Sequence, residues 1–323
     1  MTTGAREQTR EQPHAQTPAS RLAASVLGKP LGRSERIAGL AMTLPALIFF
    51  IVFIGIPICR TLLLGFMEWN AIGPAEWVGF GNYLRMFDDS VFKGAFNVTL
   101  LLTAALTLCL TVVPLLVAVL FNMGWGVFGT IYRTMLFMPA IISWVVTGAL
   151  WKLIFDPNLG SLNTLLGNLG LSSWQQNWLG EPEWVLWAIG LVAVWQQIGL
   201  YVIIYYAGLQ GLDSALLEAA AIDGANARQQ LLYVTVPLLR PVILMVVTLN
   251  LLNGIKLFDV IYVMTGGGPI NASQVLGTYM YRVAFANPGL PEFGYGSALS
   301  TIIMSLCICA VLFQIWMNRR SNV

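Results

Sequence analysis

Two groups of polar residues in this 323-residue chain have types and spacing that could do chemistry. The first is scattered through apolar sequence. Asn250, Asn253, Lys256 and Asp259 recur every three residues, and Gln197, Tyr201 and Tyr205 recur every four, with Trp195 and Gln196 beside them. Trp144, Thr147 and Trp151 share another helical face. Amides bond hydroxyls and aromatic rings stack on C–H faces, so this set suits a hydrophilic, uncharged, ring-shaped solute such as a sugar. Lys256 and Asp259 are expected to neutralise one another as an internal ion pair, which lowers the cost of charge at depth. The second group is LLEAAAIDGANARQQLLYVTVPLLRP at 216–241. It holds two carboxylates, an asparagine, a DG pair and two prolines in Ala-rich sequence, and it offers no nucleophile.

Several chemistries are excluded. No GxxxxGK[ST] is present, hence no phosphate-cradling loop and no ATPase in the chain itself. The sole histidine, His14, lies in a polar N-terminal tail, and Cys59, Cys109, Cys307 and Cys309 lie in or at the ends of apolar runs without ligand spacing. No metal, disulfide or catalytic residue is therefore expected. An intramembrane enzyme would need a nucleophile and base or a metal cluster within the spans. A self-sufficient secondary transporter would need deep carboxylates in several spans, and only Asp259 qualifies. The energy for any transport must come from another protein.

The elements that position these residues belong to a bilayer. Hydrophobic residues make up 57% of the chain and charged ones 10%, far below the quarter typical of soluble domains. Six stretches are long and apolar enough to span, near 37–59, 96–121, 134–154, 184–208, 241–264 and 297–317. Arg6, Arg10, Arg21, Lys29, Arg33, Arg36, Arg133, Arg228, Arg240, Arg319 and Arg320 fall on one side, against Arg60, Arg85, Lys93 and Arg282 on the other. Eleven basic residues against four place both termini and the 216–241 stretch in the cytoplasm. The division is then a largely disordered cytoplasmic tail over 1–36, a six-helix membrane domain over 37–318, and a short cytoplasmic end over 319–323.

Within the spans, Pro45, Pro57, Pro114, Pro139 and Pro241 predict kinked, packed helices, as in a transporter bundle. Thr99, Thr103, Thr107 and Thr111 form an i, i+4 ladder, expected to bond carbonyls one turn back. Trp69, Trp77, Trp174, Trp178, Trp184 and Trp187 cluster on the outer side and are expected to form an interfacial aromatic belt.

The 216–241 stretch has its own punctuation. Asp213 or Ser214 can cap a helix running to about Ile222, which Gly224 can end in a left-handed turn. Asn226 can then cap a second helix with Gln229 at its third position, and Pro237 opens the next membrane segment. Ala219, Ala220 and Ala221 make the first helix thin enough for close approach by another surface. Glu218 and Asp223 offer charge to a basic partner. A docking element is thus better supported than a plain interfacial connector, which would carry more Lys and Arg and a larger apolar face.

LEAAAIDGANARQQLLYVTVPLLRP resembles the EAA loop of binding-protein-dependent ABC import permeases. The matching positions are Glu218, Ala219, Ala220, Asp223, Gly224, Ala225, Val236 and Pro237. The resemblance extends along nearly the whole chain after residue 37. VGFGNYLRMFDDSVFKGAFNVT, TMLFMPAIISWVVTGALWKLIFDPNLGSLN and FDVIYVMTGGGPINASQVLGTYMYRVAF are similar to the first permease of carbohydrate importers. The segment from Phe258 to Pro269 is the more discriminating mark of the sugar and glycerol-phosphate branch.

The resemblance implies an all-α type I importer permease fold in the cell (inner or plasma) membrane, with a coupling loop at about 209–240. It implies a second six-span permease, two cytoplasmic ATP-binding subunits that hold ATP and Mg, and an extracytoplasmic substrate-binding protein. This chain would bind no cofactor and no nucleic acid, and would contact membrane lipid. The helix carrying Glu218 would dock into a cleft on one ATPase, whose closure would rock the permeases from inward- to outward-facing. A phosphorylated polyol such as glycerol 3-phosphate is the alternative cargo, but it would want convergent Arg or Lys, and only Lys152 and Lys256 lie within spans.

Overall fold

A computed structural model of the protein describes residues 33–122 and 126–321. The expected tail lies outside the described residues up to residue 32. By internal packing the chain divides into Met1–Ile58 and Cys59–Val323.

The first unit is helical where it is described. Helix α1 (Arg33–Phe50) passes through a π-turn at Ile51–Gly55 into α2 (Ile56–Leu64). The π-turn has a local cause: Pro57 lacks the N–H that would bond the carbonyl of Phe53, and the widened register absorbs the lost bond.

The second unit begins within α2. A two-residue hairpin, β1 (Met67–Glu68) with β2 (Glu76–Trp77), sets Met67 opposite Trp77 and Glu68 opposite Glu76. Helices α3 (Gly81–Asp88) and α4 (Ser90–Asn122) follow, then α5 (Gly126–Ile141), α6 (Trp144–Ile154) and a loop carrying α7 (Ser161–Asn168). Helix α8 (Pro182–Gln210) leads to the short α9 (Ser214–Ile222) and α10 (Ala227–Gln230). A second π-turn at Leu231–Thr235 precedes α11 (Val236–Leu238), and once more a proline, Pro237, stands two residues beyond the turn. Then come α12 (Arg240–Ile255), α13 (Asp259–Met264), α14 (Leu276–Phe285) and α15 (Phe293–Ser321).

Five helical stretches among the described residues are long and apolar enough to cross a membrane, and the pair Ile131–Ile141 with Trp144–Ile154 makes a sixth if counted as one broken span. The expected third span is therefore not a single straight helix. It bends by 100° at Ile142–Ser143, where Pro139 weakens the end of α5 and the Ser143 hydroxyl caps α6 by accepting from the Val146 amide.

The main core lies where α4, α8 and α12 meet, built from Leu102, Leu106 and Leu110, from Val185, Ile189 and Tyr205, and from Val246. Small residues set the distances, as they do in membrane helix packing. A Cβ on Gly199 of α8 would collide with the Leu136 carbonyl of α5, and one on Gly254 of α12 would come within 2.9 Å of Thr103 of α4. A second cluster joins α3, the start of α4, α14 and α15 through Met86, Ala95, Leu276, Tyr279, Tyr295 and Leu299.

The threonine ladder departs from expectation. Only Thr99 bonds one turn back, donating to the Ala95 carbonyl at 2.7 Å while accepting from the Leu276 amide at 2.9 Å. The hydroxyls of Thr103, Thr107 and Thr111 are buried without a partner, Thr103 being turned against Gly254. The aromatic belt is also thinner than expected. Trp77, Trp174 and Trp187 are exposed, but Trp178 packs inward against Phe155 and Trp184, and its indole nitrogen donates to Asn163 at 2.8 Å.

Candidate functional site

The break in the third span faces a break in the fifth. Helix α12 stops at Ile255, Lys256 caps it, and α13 starts at Asp259. With no continuous helix between them, Lys256 and Asp259 lose their three-residue helical relationship. The expected ion pair is absent; Arg85–Glu292 is the ion pair among the described residues.

Both breaks open on one cavity of about 130 Å³, lined by Trp144 at the start of α6, Gln197 of α8, Asn253, Lys256, Phe258 and Asp259. A smaller void of about 20 Å³ shares Trp144, Gln197 and Asn253 with it and reaches down to Tyr201 and Asn250. The Asn253 amide donates to the Tyr201 hydroxyl at 3.3 Å, fixing both side chains at this floor. Asn250 is 3% exposed, and its amide nitrogen has no protein partner; neither has the amide oxygen of Gln197. A buried polar group left unpaired costs roughly 1–3 kcal/mol. A void of this size accommodates one water molecule, and the wider cavity above it offers donors, acceptors and aromatic faces together.

Seven of the nine sequence-predicted pathway residues thus converge: Trp144, Gln197, Asn253, Lys256 and Asp259 around the cavity, Tyr201 and Asn250 beneath it. The other two lie elsewhere. Gln196 is 2% exposed and donates its amide to the Ile142 carbonyl at 2.7 Å, on the bend of the third span. Trp195 packs edge-on against Trp151 with ring centroids 5.4 Å apart. Two lining residues, Leu257 and Phe258, escaped the sequence reading. Phe258, stacked on Tyr262 at 5.3 Å, presents an aromatic face beside Asp259, and its place directly after the helix break was the available signal.

The second group forms a separate surface. Asp213 caps α9 by accepting from the Ala215 amide at 2.9 Å, and Gly224 turns the chain at φ +83°, in the left-handed region. Asn226 and Gln229 then exchange bonds in a capping box at 3.0 and 2.8 Å. Helix α9 buries no residue, and Ile222 at its end is 87% exposed. Asp223, Gly224, Ala225, Gln229 and Tyr233 border a surface hollow of about 250 Å³ at the corner. Pro237 lies further on, in α11. Glu218, Ala219 and Ala221 face solvent, and Ala220 is half-buried.

At the opposite end of the core, Asp89 gathers three elements. One oxygen accepts from the amides of Val91 and Phe92 at the start of α4, and the other from the hydroxyls of Tyr279 and Tyr295. Burial raises its pKa, but the two tyrosine bonds and the two amide bonds outweigh that and hold the carboxyl below its usual range. Arg85, over the Tyr295 ring at 4.4 Å, is held above its usual range by its hydrogen bond to Glu292.

A multi-span helical bundle with paired helix breaks around a polar cavity defines a membrane transport component. Residues 16–323 match the family of binding-protein-dependent transport system inner membrane components, and the chain belongs to that family. It is 32% identical over 275 residues to the probable ABC transporter permease protein YurN of Bacillus subtilis, covering 84% of this chain and 92% of that one. It is 31% identical over 284 residues to the arabinooligosaccharides transport system permease protein AraP of the same organism, covering 87% and 88%. It is also 31% identical to the trehalose/maltose transport system permease protein MalF of Thermococcus litoralis over 88% of this chain and 96% of that one. Its structure is similar to a bacterial ABC transporter involved in import of the acidic polysaccharide alginate, with TM-score 0.78 and 25% identity over 93% of this chain and 99% of that one. The type I permease family expected from the motifs is thereby borne out, and the chain is a multi-pass membrane protein.

Proposed function

We propose that this chain is the transmembrane subunit of an ATP-driven, binding-protein-dependent importer for a neutral sugar, forming half of the translocation pathway. Both termini and α9 lie in the cytoplasm, which the distribution of basic residues supports. The partners are a second permease, two ATP-binding subunits that carry ATP and Mg, and an extracytoplasmic binding protein; this chain holds no catalytic residue and no cofactor. Helix α9, with Glu218, Ala219 and Ala220, enters a cleft of one ATPase, and the corner Asp223–Gly224–Ala225 with Pro237 passes its movement to the spans.

The observation that carries this reading is the exposed, doubly capped α9 in a chain without a phosphate-binding loop. Its short side chains let a cleft close on the backbone, and Ile222 gives it an apolar end to bury. For the cargo, AraP and MalF are named for arabinooligosaccharides and for trehalose and maltose, and Lys256 is the sole cation at the cavity among the described residues. A phosphorylated polyol would want convergent basic groups there. The test is co-expression with the two ATPases and the partner permease. Glu218→Lys and Gly224→Asp should leave the chain inserted but abolish ATPase retention and uptake; full assembly and uptake in both variants rejects the docking role.

A further inference from the structure

The loop between α6 and α8 contains a second polar cavity, separate from the breaks in the spans. It is an open hollow of about 450 Å³ on the loop surface. Its walls are amides: Asn158, Asn163, Gln175, Gln176 and Asn177, with Glu181 at the edge.

The frame of this cavity is rigid. Asn163, 7% exposed, donates to the carbonyls of Pro157 and Gln176 at 3.3 and 2.9 Å and accepts from the Trp178 indole at 2.8 Å. Gln175 donates to the Asn163 carbonyl at 2.7 Å. Asp156 pins the turn that carries Asn158 by accepting from the amides of Asn158 and Leu159 at 2.9 and 2.8 Å. These bonds hold the walls in place and leave the side-chain amides of Asn158 and Gln176 bonded to no protein group among the described residues. The exposed amide of Asn158 and the half-buried amide of Gln176 are carried on this frame with both donor and acceptor available.

Charge narrows the ligand. No Lys or Arg occurs from Leu153 to Ala227, and Glu181 is the one charged residue of the lining. A phosphate or a carboxylate would meet no counter-charge there and the like charge of Glu181. A neutral polyol meets groups that both donate and accept, as vicinal hydroxyls require.

We propose that this pocket is a saccharide subsite that binds one end of a neutral oligosaccharide outside the membrane, ahead of the intramembrane cavity. Its location on the extracytoplasmic side rests on the importer reading; its ligand class rests on the pocket itself. The pocket therefore discriminates against acidic oligosaccharides of the kind the structurally similar alginate importer handles.

The test uses the full-length protein in lipid nanodiscs, with a panel of neutral trisaccharides (maltotriose, cellotriose and raffinose) and with trigalacturonic acid as the acidic probe. Saturation-transfer NMR titrations would compare the wild type with Asn158→Ala/Gln176→Ala and with Asn253→Ala. Loss of two neutral hydrogen bonds should weaken the best neutral trisaccharide about ten-fold in the loop variant. Trigalacturonic acid should bind at least about ten-fold more weakly than that trisaccharide to the wild type. The proposal is overturned if no panel member binds, if the loop variant binds like the wild type, or if Asn253→Ala alone removes the signal. Equal binding of trigalacturonic acid overturns it too. The importer reading fails on another readout, ATPase retention and uptake by Glu218→Lys, so the two can fall separately.

Discussion

The side-chain amide of Gln196 donates to the carbonyl of Ile142 at 2.7 Å, tying the middle of α8 to the 100° bend of the third span. A bend frees backbone groups that lipid cannot satisfy, so a neighbouring helix must supply partners. Gln196 supplies one from a position 2% exposed. Gln196→Leu keeps the volume and removes the donor, leaving the Ile142 carbonyl unpaired at a cost of about 1–3 kcal/mol. The purified variant should melt several degrees below wild type, while the sugar concentration for half-maximal uptake stays unchanged. A shift in that concentration with unaltered melting would move Gln196 from the scaffold to the pathway.

The acid limb of stability should report on Asp89. Its pKa is held low in the folded protein, so the contribution is fully present above the unfolded-state value, about pH 4, and is lost as pH falls through the folded value. Asp89→Ala leaves the hydroxyls of Tyr279 and Tyr295 without their shared acceptor and uncaps α4, a loss on the order of 2–4 kcal/mol. Thermal melts at neutral pH should show the loss, and the variant's melting should fall less steeply than wild type between about pH 5 and pH 3. Parallel wild-type and variant curves through that range would show that another carboxylate governs the acid limb.

Local chemistry was legible in the sequence, and relationships between helices were not. The caps at Asp213 and Asn226 and the turn at Gly224 depend on neighbours within three residues, and the structure places them where residue type predicted. The bend at Ile142 is hidden in an unbroken apolar run, although Pro139 and Ser143 mark it in hindsight. Lys256 and Asp259 mislead for the same reason, because their spacing means contact only along a helix that continues. Gln196 and Gln197 are neighbours of one chemical type, yet about 100° of helical rotation sends one to the bend and the other to the cavity. The Asp89 cluster joins residues 190 and 206 positions apart, and no short-range pattern announces it.

Asn253 is the residue on which the sugar assignment turns. It lines the cavity, and its amide holds the Tyr201 hydroxyl at 3.3 Å above the unpartnered amide of Asn250. If sugar hydroxyls bond here, the side chain must both donate and accept, and the side chains that replace it rank accordingly. Asn253→Asp keeps an acceptor but adds charge beside Asp259, while Asn253→Leu keeps the volume and removes both functions. Uptake by the assembled importer should need roughly ten-fold more sugar for Asn253→Leu, about one to two lost hydrogen bonds, with Asn253→Gln nearer wild type. ATPase retention should be unchanged in all three, because α9 is remote from the cavity in sequence and carries none of its lining. Tyr201→Phe, which removes only the acceptor that orients Asn253, should cost less than Asn253→Leu. The reverse order would mean that Tyr201 contacts the sugar and Asn253 merely supports it.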